Sequence, residues 1–245
     1  MAAEPIADGL WILRGGPGHC NVYFLRSGEG VVMFDAGART MRGKIASAAD
    51  ALGGLTGIVL GHGHTDHRGS APGLGVPVRC HADAVGEAEG RGGWEYWDPK
   101  LRFLPLPLRV AHRALHRFAW DGGPVQVAGT VAEGEEIAAG FRVVLLDGHA
   151  PGQIGLWREA DRIALTSDVF YVVDMWGRPG PPLPPTEGYS QDPARAKAAI
   201  LLLADLEPDV CWPGHGAAVT GDPARGTVAE QLHAGTTLKS HIFRH

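Results

Sequence analysis

Between positions 62 and 67 the chain reads His62-Gly63-His64-Thr65-Asp66-His67, four metal-capable side chains within six residues, directly after the apolar run Gly57-Ile58-Val59-Leu60. A short aliphatic run closed by a glycine-bearing turn reads as a buried strand ending in a loop. Neutral imidazole and carboxylate are the donors that zinc and its first-row neighbours take up, and imidazoles are costly to crowd into one loop unless a cation orders them. The segment predicts a metal site at the mouth of a sheet, which limits the fold to those that gather strand ends on one edge.

Three more candidate positions follow the same rule. Arg142-Val143-Val144-Leu145-Leu146 leads into Asp147-Gly148-His149-Ala150-Pro151-Gly152, a glycine and proline turn that holds a histidine at a strand end. Arg162-Ile163-Ala164-Leu165-Thr166-Ser167 leads into Asp168, and Asp209-Val210-Cys211-Trp212 leads into Pro213-Gly214-His215-Gly216. Together with the first loop, this places His62, His64, Asp66, His67, His149, Asp168 and His215 on four loops, each after a strand.

In order and context these residues resemble the metallo-beta-lactamase-fold hydrolases, over a span from residue 9 to residue 216. The resemblance implies an α/β fold, a four-layer αββα sandwich. It also implies that His62, His64 and His149 form a first metal site, that Asp66, His67 and His215 form a second, and that Asp168 bridges them. Two zinc ions are the expected cofactors, with iron or manganese as alternatives. Such a pair would hold a hydroxide for attack on an activated acyl carbon and take the leaving oxygen or sulfur, so no serine or cysteine nucleophile is needed.

Further residues narrow the choice within the family. The true β-lactamases of this fold generally lack a bridging aspartate at the Asp168 position, and the flavodiiron redox members carry Glu where His64 stands. The Asp168-Val169-Phe170-Tyr171 spacing, with Gly148 to Gln153, resembles the acyl-homoserine lactonase branch. There the tyrosine hydroxyl lies near the substrate carbonyl, so Tyr171 is either an oxyanion donor or a structural tyrosine beneath the loop. Asp66 is expected to orient a proton during ring opening. Arg68 departs from that branch, which commonly has a small residue there, and supplies either an anion contact or a surface charge. A lactone or other ester leads over a thioester. Glyoxalase II-like thioesterases usually add a helical domain, for which residues 216 to 245 are too short. A mononuclear iron persulfide dioxygenase and a non-catalytic metal scaffold remain alternatives from other classes, and metal content separates the first from a two-zinc hydrolase.

Composition agrees with one hydrolase domain over residues 1–245. A chain of 245 residues with 44% hydrophobic side chains can build a large core, and no linker-like tract divides it. The formal charge of −5 leaves no basic footprint for nucleic acid, so a small-molecule substrate fits better. Cys20, Cys80 and Cys211 are too few and too scattered for a disulfide framework, and Met1-Ala2-Ala3-Glu4 does not open a signal peptide. No apolar run approaches the roughly 18 residues of a membrane span. A cytoplasmic enzyme, with a homodimer as an option, is the expectation.

Residues 9–14, 21–26 and 31–35 read as an antiparallel start, and residues 39–52 as a helix with Met41, Ile45, Ala48 and Leu52 on one face. Asp192-Pro193 opens a second helix with Ala196, Ile200, Leu203 and Leu206 as its stripe, since Asp caps well and Pro suits the first turn. Asp35 either supports the metal loop from behind or caps a turn. Residues 89–127 break the strand and helix alternation and carry Trp94, Tyr96, Trp97, Phe103, Phe118 and Trp120. This insertion either walls a pocket, makes a dimer contact, or anchors a long excursion to the core. Within it Leu108 to Trp120 predicts a helix with His112 and His116 at i and i+4, a spacing that can bind metal; with Arg109, Arg113 and Arg117 around it, a solvated basic face is the preferred reading. His233, His241 and His245 read as tail or helix-surface residues.

Overall fold

A computed structural model describes residues 2–91, 104–174 and 177–238 of the chain. It opens as an antiparallel meander of β1 (Glu4–Ala7), β2 (Leu10–Gly15), β3 (Cys20–Ser27) and β4 (Gly30–Phe34). After helix α1 (Arg42–Ala51) the chain adds β5 (Leu55–Val59), β6 (Val78–His81) and β7 (Val127–Val131), each parallel to its predecessor, which completes a seven-stranded sheet. Among the described residues three short α-helices lie in the connections: α2 (Thr65–Arg68), α3 (Val85–Ala88) and α4 (Leu106–Leu115), the last continuing as a π-helical turn, His116–Trp120.

The second sheet has six strands, β8 (Glu136–Ala138), β9 (Phe141–Leu145), β10 (Ile154–Arg158), β11 (Ile163–Ser167), β14 (Val210–Pro213) and β15 (Val219–Thr220). Strands β12 (Tyr171–Val173) and β13 (Pro179–Leu183) pair as a separate ribbon. Helices α5 (Pro193–Asp205) and α6 (Val228–Thr237) follow β13 and β15 respectively.

Period-two alternation divides the core into layers. On β3, Val22 and Phe24 pack outward with Ile45 and Ala48 of α1, while Tyr23 and Leu25 pack inward. On β11, Ile163 and Leu165 face the other sheet and Ala164 faces α5 and α6, meeting Ile200, Leu203 and Leu232. The result is the expected sequence of helix, sheet, sheet and helix layers, with Phe34, Val59, Val143 and Ile154 between the sheets. Each such aliphatic or aromatic side chain, fully buried, is worth about 1.5–3 kcal/mol of transfer free energy.

Strands β1, β6, β7, β8, β10, β12, β13 and β15 go unnamed in the sequence reading, and for β10 and β1 the reason is local. Gly155 interrupts the apolar pattern of β10, yet a Cβ there would lie 2.8 Å from Leu146 Cδ1 and 2.9 Å from the Leu165 carbonyl oxygen. Glycine is required because three strands converge at that point. Strand β1 offers no alternation to read: Glu4 and Pro5 are exposed, Ile6 and Ala7 are half-buried, and the strand lies at the sheet's edge, paired with β2. Of the aromatic insertion, Trp94, Tyr96, Trp97 and Phe103 lie outside the described residues, as do His241 and His245. His233 sits exposed on α6, as expected.

The directions of β4, β5, β9, β11 and β14 bring their carboxyl ends to one edge. Helix α5 buttresses that edge. Asp192 caps it by accepting from the amides of Ala194 and Arg195, each at 3.0 Å, and the Asp192 amide donates to the Gly148 carbonyl at 2.8 Å. Gly148 has φ +133° and a Cβ would meet the Ala196 nitrogen at 2.1 Å, so the loop carrying His149 is pressed against the helix start. Replacing Asp192 with Ala is expected to lower stability by about 1 kcal/mol, measured by urea denaturation, and an unchanged midpoint would contradict the capping role.

Candidate metal centre

The metal loop begins where β5 ends, and its entry is fixed by Asp35, the residue after β4. Asp35 is fully buried and accepts three hydrogen bonds: from the Gly61 amide at 2.7 Å, from His67 Nδ1 at 2.9 Å and from the Ser167 hydroxyl at 2.9 Å. Gly61 has to be glycine, since a Cβ would stand 2.5 Å from Ser167 Oγ. Of the two sequence readings for Asp35, support of the metal loop from behind is the one the geometry bears out.

These bonds set the histidine tautomers. Carboxylate and carbonyl oxygens only accept, so His67 donates through Nδ1 to Asp35, and His215 donates through Nδ1 to the Gly18 carbonyl at 2.7 Å. Ser167 spends its proton on Asp35, so the contact of 3.1 Å between Ser167 Oγ and His62 Nδ1 has the imidazole as donor. His62, His67 and His215 thereby turn Nε2 into the cluster with its lone pair available. His67 Nε2 and His215 Nε2 lie 3.3 Å apart, and His149 Nε2 lies 3.2 Å from His64 Nδ1.

All seven sequence-predicted side chains converge. Three groups have potential ligand atoms within 4.8 Å of one another: His62, His64 and His149; His62, His67 and Asp168; Asp66, His67 and His215. Asp168 stands centrally, with Oδ1 3.2 Å from His67 Nε2 and Oδ2 3.5 Å from His215 Nε2 and 3.7 Å from His149 Nε2. Asp66 Oδ2 is 3.4 Å from His215 Nε2.

The electrostatics divide the cluster. Burial, reinforced by the neighbouring imidazoles, holds His62 and His64 well below the ordinary histidine range, and burial brings His149 down to about 4. For His67 and His215 burial acts the same way, but Asp168, joined by Asp35 at His67, outweighs it and both rise well above that range. Burial would raise Asp66 and Asp168; the hydrogen bond with His215 for Asp66, and the charges of His67 and His215 for Asp168, overcome it and hold both carboxyls below their usual values. Inward lone pairs at 3.3 Å repel unless positive charge lies between them. A proton meets that need in the metal-free chain and a cation meets it better, since His62 Nε2, buried among the described residues, has no hydrogen-bond partner. The donor set fits a divalent metal.

The insertion meets the site through α4 and its π-helical turn. His112, His116 and Trp120 line a cavity of about 160 Å³ with Tyr171, Tyr189 and five of the candidate ligands, His64, Asp66, His149, Asp168 and His215. This corrects the reading of His112 and His116 as part of a solvated basic face: His116 is buried and its Nδ1 lies 3.0 Å from Thr65 Oγ1, while His112 Nε2 lies 3.3 Å from the Tyr189 hydroxyl. The helix spacing was readable, but which face docks depends on the strand end it meets. Arg68 also differs from both of its expectations. It is buried, donates from Nε to the Gly63 carbonyl at 3.0 Å and from Nη1 to the Gly123 carbonyl, and pairs with Asp121 at 3.1 Å, so it ties the metal loop to the end of the insertion.

The family model described as the Metallo-beta-lactamase superfamily matches residues 15–215. The chain belongs to the metallo-beta-lactamase superfamily. It is 27% identical over 238 residues to the probable metallo-hydrolase YflN of Bacillus subtilis (strain 168), covering 86% of this chain and 85% of that protein. It is 29% identical over 218 residues to the uncharacterized protein ML0493 of Mycobacterium leprae (strain TN), covering 82% and 88%. Among solved structures, the family protein TTHA1429 of Thermus thermophilus shares the fold at a TM-score of 0.70 and 20% identity, over 95% of this chain and 80% of that one. TTHA1623 in a di-iron-bound form matches at a TM-score of 0.62 and 26% identity, over 92% and 97%. Membership in this metallo-hydrolase family implies divalent metal binding, for which the His and Asp cluster is the candidate. Among the described residues no helix is long and apolar enough to cross a membrane.

Two outcomes follow. Replacing Asp35 with Ala strands the buried donors of Gly61, His67 and Ser167, and is expected to cost about 3–5 kcal/mol in the metal-free protein; a loss under about 1 kcal/mol in urea would contradict its central place. Burial lowers His116 to about 4, below its unfolded value near 6.5. The unfolded chain binds the extra proton, so the stability tied to neutral His116 is complete above that unfolded value and is lost as pH falls toward the folded one. Urea unfolding of His116→Gln across that range is expected to show a flatter pH profile than the wild type, and identical slopes would contradict it.

Proposed function

We propose that the protein is a dinuclear zinc hydrolase acting on an activated acyl carbon, a lactone or other ester ahead of a thioester. The observation that carries this reading is the position of Asp168, within 3.7 Å of imidazoles from both histidine groups. In this reading His62, His64 and His149 hold one cation, Asp66, His67 and His215 hold the other, and Asp168 serves both. Two divalent cations there would polarise a carbonyl and make water nucleophilic at neutral pH.

The chain's own groups supply the rest. Asp66 is the more open carboxylate, its side chain 25% exposed against 3% for Asp168, and it lines the cavity. Held ionised, it accepts a hydrogen bond from water and sets the direction of attack. Burial and Asp168 keep the Tyr171 phenol protonated. Its hydroxyl donates to Asp168 Oδ2 at 3.0 Å, between the rings of His149 and His215 at 6.1 and 6.0 Å. With Asp168 engaged by the cations in this reading, that one proton would be free to turn from the carboxylate to the oxyanion as the carbonyl is attacked. A thiol mechanism has no support: Cys20, Cys80 and Cys211 are buried, none lines the cavity, and burial pushes the Cys80 thiol up to about 12.

The wall of His112, His116, Trp120 and Tyr189 bounds a cavity of about 160 Å³, which suits a small ring or short acyl group. The reading treats residues 1–245 as one hydrolase domain working in the cytoplasm, in keeping with three free cysteines. The di-iron form of TTHA1623 makes iron the alternative metal, so elemental analysis is the first test. About two zinc per chain with turnover of lactones supports the proposal, and a single iron with oxygen uptake supports the dioxygenase reading instead. The double variant His64→Ala, Asp168→Ala is expected to lose bound metal and hydrolysis together, and retained turnover would refute the mechanism. Tyr171→Phe is expected to lower kcat about 100-fold with metal content unchanged; full activity would make the tyrosine structural only.

A further inference from the structure

The ligand histidines differ in what holds their outer nitrogen. Asp35 holds His67, Ser167 holds His62 and the Gly18 carbonyl holds His215. His64 is reversed relative to these: its Nδ1 faces His149 Nε2 at 3.2 Å, so its Nε2 points away from the cluster. That nitrogen faces Glu87 on α3, whose Oε2 lies 3.7 Å away, with both side chains buried. The contact is a charge contact, beyond hydrogen-bond length.

A carboxylate is costly to bury unless it serves a partner. Two features keep Glu87 there. Gly63, between two proposed ligands, admits it closely: a Cβ on Gly63 would lie 2.4 Å from Glu87 Cβ and 2.8 Å from the Ala88 nitrogen. The buried guanidinium of Arg68, which donates to the Gly63 carbonyl at 3.0 Å, is attracted by the charge of Glu87. The carboxylate therefore sits against the metal loop beside the His64 imidazole, with the Arg68 guanidinium adding a favourable field.

We propose that Glu87 is a positioning residue for His64, favouring the tautomer with the proton on Nε2 and so leaving the Nδ1 lone pair for the first cation site. The inference rests on the metal reading above. An acceptor on the outer nitrogen fixes ring orientation and raises ligand basicity, and loss of such a partner typically costs about 10–100-fold in metal affinity.

Zinc affinity, measured by competition with a chromophoric chelator on the full chain, separates this role from packing. Glu87→Met keeps an unbranched side chain of similar length without an acceptor, whereas Glu87→Gln keeps an acceptor without the charge. The expected result is a roughly 10–100-fold weakening of one of two zinc equivalents in Glu87→Met, with a smaller loss in Glu87→Gln and the second equivalent near its wild-type affinity. Both equivalents bound at wild-type strength by Glu87→Met would overturn the positioning role and leave the metal reading intact. A wild-type chain that takes up no zinc would instead remove the metal reading and this inference with it. Nitrogen-15 spectra of zinc-loaded wild-type protein test the premise of this role, the tautomer of His64, independently of how the variants fold. His64 protonated on Nε2 and ligated through Nδ1 is the expected signature, and a proton on Nδ1 would overturn the proposal.

Discussion

The site depends on one buried carboxylate. Asp35 gathers the Gly61 amide, the His67 imidazole and the Ser167 hydroxyl, and so joins the end of β4, the start of the metal loop and the end of β11 at one point. These segments come from both sheets, so the bonds that register one sheet against the other also fix two of the imidazoles. His67 is held directly and His62 through Ser167. Truncating such a carboxylate leaves several buried donors without partners, which costs more than any one of the bonds contributes.

Around that anchor the two sheets share further polar ties. The Ile154 amide donates to the Gly61 carbonyl at 2.8 Å, the Asn21 amide donates to the Gly214 carbonyl at 2.7 Å and the Tyr23 hydroxyl donates to the Pro213 carbonyl at 2.6 Å. Each brings a loop bearing a proposed ligand to the opposite sheet. The imidazole groups are thus preorganised by the fold, which reduces the ordering cost that metal binding would otherwise carry. The insertion adds a third constraint: Arg68 fastens the loop to Asp121 and Gly123, and His116 meets Thr65 between His64 and Asp66.

Much of this was legible in the sequence because its signals are local. The loop from His62 to His67 follows a strand, and His149, Asp168 and His215 follow strands of their own, so placing strand ends on one edge placed the ligands. The helix opened by Asp192-Pro193 was readable from its cap and stripe, and its buried Ala196, Ile200 and Leu203 match that stripe. What escaped depends on contacts between distant segments. Arg68 looks like a surface charge until the Gly123 carbonyl and Asp121 are brought to it. His112 and His116 share a helix face with arginines, and spacing alone does not say which side of that face meets the cavity. Gly155 weakens a strand pattern for a reason visible only once Leu146 and Leu165 are its neighbours.

In the proposed reading, seven side chains from four loops form one shared binding site for a pair of cations. Anomalous diffraction from crystals of metal-loaded protein tests it most directly. Two anomalous peaks about 3.5–4 Å apart are expected, one against His62, His64 and His149, the other against Asp66, His67 and His215, with Asp168 reaching both. A single peak, or peaks away from these side chains, would contradict it.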